Sequence, residues 1–489
     1  MTTRRFDPPR MGGSTRSLLH GAFWAILLCV ACIAAGAAAT ITPFAIAGLL
    51  VILLVVGTLA FPDSAWRFLA LAAIVVSPQV FAPDDNHPIP NSDAAQKAVL
   101  ILGLICLLVT LGARWSWIGG TALTALGLSS LLALLKIGGM IEVGPSPVLR
   151  AAIGFALPWC FLMVDWRKLD LRRGLRFIAY LPIVSLAGGV VLQLLGISPM
   201  LSREQDGALR LQDTAIPAHL AMIALVGMTA ALFELTLDRT GPAKGAPLVH
   251  RVPAFALVII DLVVLLGTST RSPIAVGAAV LAVFVVRAAW ARSDLGGRAR
   301  RGAMAIVGAA AVALIATVPE LILRSQGNSY EGKFNTSGRD QAWNFFLDVG
   351  SASPLTGRGL GFSPLAVELL KPVGVQTAFI APHNEYIHFY VDGGILFATA
   401  VLGCFAAVFV AAARSQTGTA RWLVIVLGIG TAFYSYTDNT LSTPQYPILV
   451  FMMLGLLISH PASRSESDDS PPQPAEVSPK EPARSPDIG

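Results

Sequence analysis

Apolar runs separated by short polar breaks fill most of the chain, and their length decides the fold class. A helix needs about 17–25 mainly apolar residues to cross a bilayer. Runs of that kind stand at roughly 19–39, 43–60, 65–81, 98–113, 117–136, 148–164, 175–197, 215–236, 252–268, 273–290, 303–322, 385–411, 422–437 and 444–459. Inside lipid the backbone must satisfy its own hydrogen bonds, and runs this long do so as helices. The pattern predicts an all-α, polytopic integral membrane protein of about twelve to fourteen transmembrane helices. One long polar interruption, 323–384, reads as a single loop outside the membrane.

Charge gives the bundle a direction. Hydrophobic residues make up 54% of the chain and charged residues 13%, against roughly 25% charged in soluble domains. Lys and Arg collect in alternate connections: Arg4, Arg5, Arg10 and Arg16, then Arg67, Arg114, and the clusters within 167–176, 239–251, 292–301 and 414–421. The connections between them, such as 82–96 and 437–443, are poor in positive charge. Positive loops stay cytoplasmic, which puts both termini there and explains the net charge of +6 without nucleic acid. The first run exceeds the roughly 7–15 apolar residues of a signal peptide, so it reads as an uncleaved anchor.

The predicted organisation is a cytoplasmic tail 1–18, a transmembrane bundle 19–322, the periplasmic loop 323–384, C-terminal transmembrane helices 385–460 and a disordered cytoplasmic tail 461–489 of Pro, Ser and charge. The five Cys all lie in apolar runs and form neither a disulfide framework nor a zinc spacing.

Three outward connections break the charge rule. Arg203 and Arg210 lie in 198–214, Arg271 in 269–272, and Arg324, Lys333, Arg339, Arg358 and Lys371 in 323–384. A lipid headgroup phosphate or a nearby carboxylate would each account for such a cation. Helices that start at this face present unpaired N–H groups and a partial positive charge. Pro217, Pro273 and Pro382 mark three such starts, and Arg210, Arg271 and His383 stand beside them. If the fold brings these ends together, they make an anion site.

The same residues carry a resemblance. RLQDTAIPAHLA begins at Arg210, TSTRSPIAVGAAVL begins at Thr268, and GRDQAW, PLTGRGLGF and HNEYIHFYVDGG follow in order between Gly338 and Gly394. Taken together, over roughly 205–440, these patterns resemble the O-antigen ligase / O-antigen polymerase superfamily of bacterial membrane glycosyltransferases. The N-terminal half agrees in hydropathy alone. Asp213, the Ala218–His219 pair and the Ser272–Pro273 pair depart from the family's pattern, which bears on acceptor fit more than on the chemistry.

The resemblance implies transfer of a glycan from undecaprenyl diphosphate to a sugar hydroxyl at the periplasmic face of the bacterial inner membrane, with no metal or other cofactor. The acceptor is a glycan for a polymerase or lipid A core for a ligase, and the three patterns serve both. Membrane lipids and a chain-length regulator are the further partners it implies. Such a reaction must stabilise a departing diphosphate and deprotonate the incoming hydroxyl. Arg210 and Arg271 suit the first task, with Arg339 as a third contact, because a guanidinium pairs with phosphate oxygens through two N–H groups.

His383 is the candidate base; capping a helix or bonding the acceptor is the alternative. Asn384, Glu385, Tyr386 and Trp343 are candidates for contact with sugar, with an interfacial anchor as the alternative for Trp343. Gly357, Gly359 and Gly361 read as a turn, and Gly393–Gly394 as a site of close helix packing.

Two rival readings remain open. Asp261 lies mid-helix in LVIIDLVVLLG, where an intramembrane carboxylate is a functional candidate. It supports a proton-coupled transporter or flippase of lipid-linked sugar, against a structural Asp bonded to a neighbouring helix. A metal-dependent transferase using the Asp84–Asp85 doublet is the third.

Overall fold

Past residue 92 each predicted apolar run forms a helix in the computed structural model over most of its described residues, with a few at the ends outside it. The described residues are 92–137, 145–194, 196, 198–203, 209–237, 252–290, 301–309, 339–370 and 381–462. The predicted runs 19–39, 43–60 and 65–81, the Asp84–Asp85 doublet and the tail from 463 lie outside them.

The first helices are α1 (Ser92–Leu111), α2 (Trp117–Ile137), α3 (Ser146–Phe161) and α4 (Leu171–Leu194). A short antiparallel hairpin follows, β1 (Leu201–Arg203) with β2 (Leu209–Leu211), placing Ser202 opposite Arg210. Next come α5 (Pro217–Thr236), α6 (Ala254–Gly267) and α7 (Arg271–Ala289). The last five are α8 (Arg339–Ser351), α9 (Ser363–Leu370), α10 (Glu385–Ser415), α11 (Gly418–Thr437) and α12 (Gln445–Ser459). Among the described residues α2, α4, α5, α7 and α10 are long and apolar enough to cross a membrane, by length and composition. The chain is an all-α polytopic membrane protein.

Burial separates the centre of the bundle from its lipid-facing ring. The apolar window of α5 is 94% buried, against 39% for α4, α7 and α10, so α5 is the axis. A helix that is apolar all round belongs where every face meets protein or lipid, and α4, α6, α7, α11 and α12 pack around this one. Small residues allow the close approach: a Cβ on Gly227 of α5 would lie 2.6 Å from the Pro182 ring of α4.

Two sequence expectations change. Within 323–384, expected as a loop, the described residues include α8 and α9. Ala342 and Phe346 of α8 and Val367 of α9 bury against Ile387 and Val391 of α10 in a small core of their own. Arg176, expected among cytoplasmic loop charges, lies inside α4 and is buried. Its guanidinium forks onto Glu234 of α5, with Nε donating to Oε2 at 3.0 Å and Nη2 donating to Oε1.

A buried pair of this kind is costly to break from one side, because the remaining charge keeps its desolvation penalty. Arg176→Ala is expected to lower stability by about 3–5 kcal/mol, and Arg176→Met combined with Glu234→Leu to recover most of the loss. Thermal unfolding of the detergent-solubilised protein measures both.

Candidate functional site

The backbone constraint that shapes the site lies in α10, where Gly394 leaves the helical path with φ 70° and ψ −174°. Unpaired peptide groups inside a membrane are expensive, so such a break needs partners from the protein itself. The PLTGRGLGF segment supplies them. Ile395 N–H donates to Pro354 O at 2.9 Å, Arg358 N–H to Val391 O at 2.7 Å and Gly359 N–H to Asp392 O at 2.9 Å.

Contact is backbone on backbone. A Cβ on Gly357 would lie 2.4 Å from Gly393 N, and one on Gly394 2.3 Å from Leu355 O. Gly393–Gly394 therefore admits a loop, where the sequence suggested a neighbouring helix. Lys136, at the end of α2, holds the same loop by donating to Thr356 Oγ1 at 3.0 Å and to Gly357 O.

One buried face of α10 ties two loops together. Asp392 accepts from Gly361 N–H and Ser363 N–H, both at 2.8 Å, and from Ser363 Oγ at 2.7 Å, capping the start of α9. Glu385 accepts from Leu441 N–H at 2.7 Å, Ser442 N–H at 2.6 Å and Ser442 Oγ at 2.7 Å. Between them, at helical spacing, His388 places Nδ1 3.2 Å from Glu385 and Nε2 3.5 Å from Asp392.

His383 stands just before this helix. Asn384 is the N-cap, its Oδ1 accepting from Tyr386 N–H at 3.0 Å and Ile387 N–H at 3.2 Å. His383 itself takes φ 47°, and among the described residues Ser269, at φ 49°, is the other non-glycine with positive φ. Such backbone costs of order 1–3 kcal/mol and collects at functional sites. The imidazole Nδ1 lies 3.3 Å from Asp438 Oδ1, at the end of α11. Trp343 braces the segment by donating its indole N–H to Pro382 O at 2.9 Å and packing on Tyr436.

The arginines approach from the other side. Arg210 on β2 is buried, with Nε donating to Thr268 O and Nη2 to Thr270 Oγ1, both at 2.9 Å. It thereby pins the turn that leads into Arg271, the first residue of α7. Ser272 then accepts from Thr437 Oγ1 at 2.8 Å, joining α7 to the end of α11. The Tyr434 hydroxyl, fully buried and with no hydrogen-bond partner, lies in electrostatic range of Asp438, Arg339 and Arg210.

Burial pushes the Asp438 carboxyl upward. The His383 hydrogen bond and charge, the Asn439 N–H and the Arg339 charge outweigh that and hold it below the usual carboxylate range. Its contribution to stability is therefore present above the ordinary carboxylate value and lost as pH falls through the lowered one. Asp438 is ionised at neutral pH.

Residues 256–402 match the family described as O-antigen ligase. The match covers under a third of the chain. No curated protein matches it. The match supports a role in surface polysaccharide assembly, and the matched stretch holds Arg271, Arg339, His383 and the Gly393–Gly394 break while leaving Arg210, Tyr434 and Asp438 outside.

Arg210 and Arg339 thus lie in electrostatic range of Tyr434, Arg339 and His383 act on Asp438, and Arg271 adjoins the Ser272–Thr437 bond. Asn384 and Glu385 direct side-chain oxygens to the protein's own backbone, and Tyr386 donates its hydroxyl to Ala432 O at 3.0 Å. Sequence reasoning missed Tyr434, which carries no motif signal, and His388. Asp438 offered one clue, as the lone charge of 437–443.

Two departures from the family pattern touch each other: His219 Nδ1 lies 2.7 Å from Asp213 Oδ2, which also accepts from Ser185 Oγ. Asp261 is fully buried in α6, and neither carboxylate oxygen has a hydrogen-bond partner. Among the described residues no group of three or more His, Cys, Asp and Glu side chains is placed to hold a metal ion. Beside the site, an apolar groove of about 470 Å³ runs between α10 and α11, from Tyr386 and Leu441 past Phe405 and Ile429 to Ala413.

The loop docked in α10 should tolerate no side chain at its contact. Gly394→Ala is expected to cost more than about 3 kcal/mol through strain and overlap together. Gly403→Ala on the same helix, where a Cβ meets nothing within 4 Å, should be neutral or slightly stabilising. Recovery of monodisperse protein after detergent extraction, followed by thermal unfolding, separates the two.

Proposed function

We propose that this enzyme transfers a glycan from a polyprenyl diphosphate carrier to a sugar hydroxyl at the outer face of the bacterial inner membrane. His383 is the general base, and Arg210, Arg271 and Arg339 neutralise the departing diphosphate. The observation that carries the reading is the His383–Asp438 contact within electrostatic range of Arg339, with Arg210 in range of the neighbouring Tyr434, on turns held by the Arg210–Thr268 and Asn384 hydrogen bonds.

With Nδ1–H donating to Asp438, His383 keeps the Nε2 lone pair for a substrate, the orienting logic of carboxylate–imidazole pairs generally. Nε2 takes the proton of the acceptor hydroxyl as its oxygen bonds to the anomeric carbon of the donor. The bond from that carbon to the diphosphate oxygen breaks, and the electron pair leaves with the diphosphate. Guanidinium groups fixed in advance on turns stabilise that charge without reorganising. The groove between α10 and α11 starts at Tyr386 and Leu441, next to this cluster, and offers an apolar path suited to an isoprenoid tail.

The test is complementation of a deletion strain, read on a glycan gel. His383→Ala is expected to lower transfer by about 10²–10⁴-fold, and Asp438→Asn by at least about tenfold. A ladder of normal length and intensity from His383→Ala would sink the proposal. Loss of the ladder with one repeat unit retained marks a polymerase, and loss of all capped product marks a ligase.

The unpartnered Asp261 carboxylate is what a carrier reading would rest on. Under the enzyme reading, Asp261→Asn leaves transfer within about twofold, since it changes a buried side chain within α6 and leaves His383 and the three arginines in place. Abolition of the product by Asp261→Asn, with His383→Ala active, would favour the carrier.

A further inference from the structure

A second cavity, of about 470 Å³, opens on the other side of α10 from the lipid groove. Its walls come from α1 (Gln96, Lys97), α3 (Arg150, Phe155), the start of α9, His388 of α10, and the 442–445 segment that begins α12. The size falls in the roughly 300–1,000 Å³ range of small-molecule sites. Its most telling member is Gln445. The side chain is fully buried and lines the cavity, yet among the described residues neither its amide nitrogen nor its oxygen has a hydrogen-bond partner. A buried amide left unsatisfied costs about 1–3 kcal/mol, and a ligand with both donors and acceptors would remove that cost. Sugar hydroxyls fit the description.

Charge narrows the ligand further. Lys97 and the exposed Arg150 stand at the cavity, while the carboxylates behind His388, Glu385 and Asp392, are already committed to backbone N–H and serine hydroxyls. Among the described residues the charged lining of the cavity is therefore basic, with an apolar wall at Phe155 against His388.

Position tells which substrate this is. Tyr386 lines the lipid groove and His388 the cavity; two residues apart on a helix means about 200° of rotation, hence opposite faces. Both faces border the segment that runs from Asp438, beside His383, to Gln445. The two substrates can then approach His383 from opposite sides.

We infer that the cavity bounded by Lys97, Arg150, His388 and Gln445 binds the acceptor saccharide, and that it selects a sugar carrying a carboxylate or phosphate. This deepens the transferase reading and rests on it for the word acceptor. The binding itself does not depend on transfer.

Full-length protein in lipid nanodiscs is titrated by calorimetry with tetragalacturonic acid and with uncharged maltotetraose. The acidic probe is expected to bind at least tenfold more tightly, and Gln445→Leu and Arg150→Glu each to weaken it fivefold or more. In transfer assays, Gln445→Leu should raise the KM for acceptor 5–20-fold and leave the KM for donor unchanged.

Equal affinity for the two probes would overturn the inference. So would indifference to both substitutions, or a donor KM that rises in step with the acceptor KM. Gln445→Leu keeps the volume of a side chain that makes no hydrogen bond, and Arg150 is exposed, so unchanged thermal unfolding certifies each variant. Acidic-probe binding that persists in a protein whose His383→Ala variant still makes polymer would sink the transferase reading alone.

Discussion

A membrane helix that breaks must find hydrogen bonds for the peptide groups it frees, and here that requirement organises the site. Once Gly394 turns out of the helical path, the Gly393–Ile395 backbone cannot face lipid. The 354–359 segment must dock there, and it can do so only because Gly357 and Gly394 carry no side chain. Docking fixes the loop's ends, which explains how a polar segment between membrane helices holds the amphipathic α8 and α9 against α10. Trp343 on α8 then reaches Pro382 O and sets the position of the next residue, His383.

The acidic residues of α10 extend the same logic in the other direction. Glu385 binds the backbone of 441–442 and Asp392 that of 361–363, so one helical face clamps loops on both sides. Charge-assisted bonds to backbone N–H groups are stronger than neutral ones, and these are buried, where they are least screened. Because Glu385 fixes 441–442, the Asp438 carboxylate three residues earlier is held where the imidazole can meet it. Positioning of His383 is therefore distributed over residues that need never touch a substrate.

How much of this was legible in the sequence varies with the kind of interaction. Apart from α8 and α9, the described helices from Ser92 to Ser459 were readable to within about six residues, because hydropathy over about twenty positions averages out local accidents. The candidates Arg210, Arg271 and His383 stood out because cations on the wrong side of a charge pattern, or beside a helix-starting proline, are rare. α8 and α9 were hidden, since their apolar faces are short and carry Trp343 and Phe346 among charges. Arg176 misled for a different reason: its partner Glu234 lies 58 positions away in sequence, and only the packing of α4 on α5 reveals the pair. Tyr434 could not have been singled out from YSYTD, where one aromatic looks like the next.

The strained backbone at Ser269 and His383 follows from what the site must do. Helices in a bundle present side chains along their flanks, whereas under the proposed transfer a diphosphate at the membrane surface is met end-on by groups converging from several elements. Turns can aim side chains that way, but turn geometry open to glycine alone would sacrifice the imidazole. A histidine held at φ 47° accepts a penalty of order 1–3 kcal/mol in exchange for a direction no helical residue could reach. Asn384 capping the helix behind it and Trp343 bonding the carbonyl before it supply compensation within one residue on either side. Ser269 has the same support, because Arg210 grips Thr268 and Thr270 around it. A guanidinium that holds the turn and also faces the anion would couple substrate charge directly to the geometry of Arg271, so the site is stiffest where charge must develop.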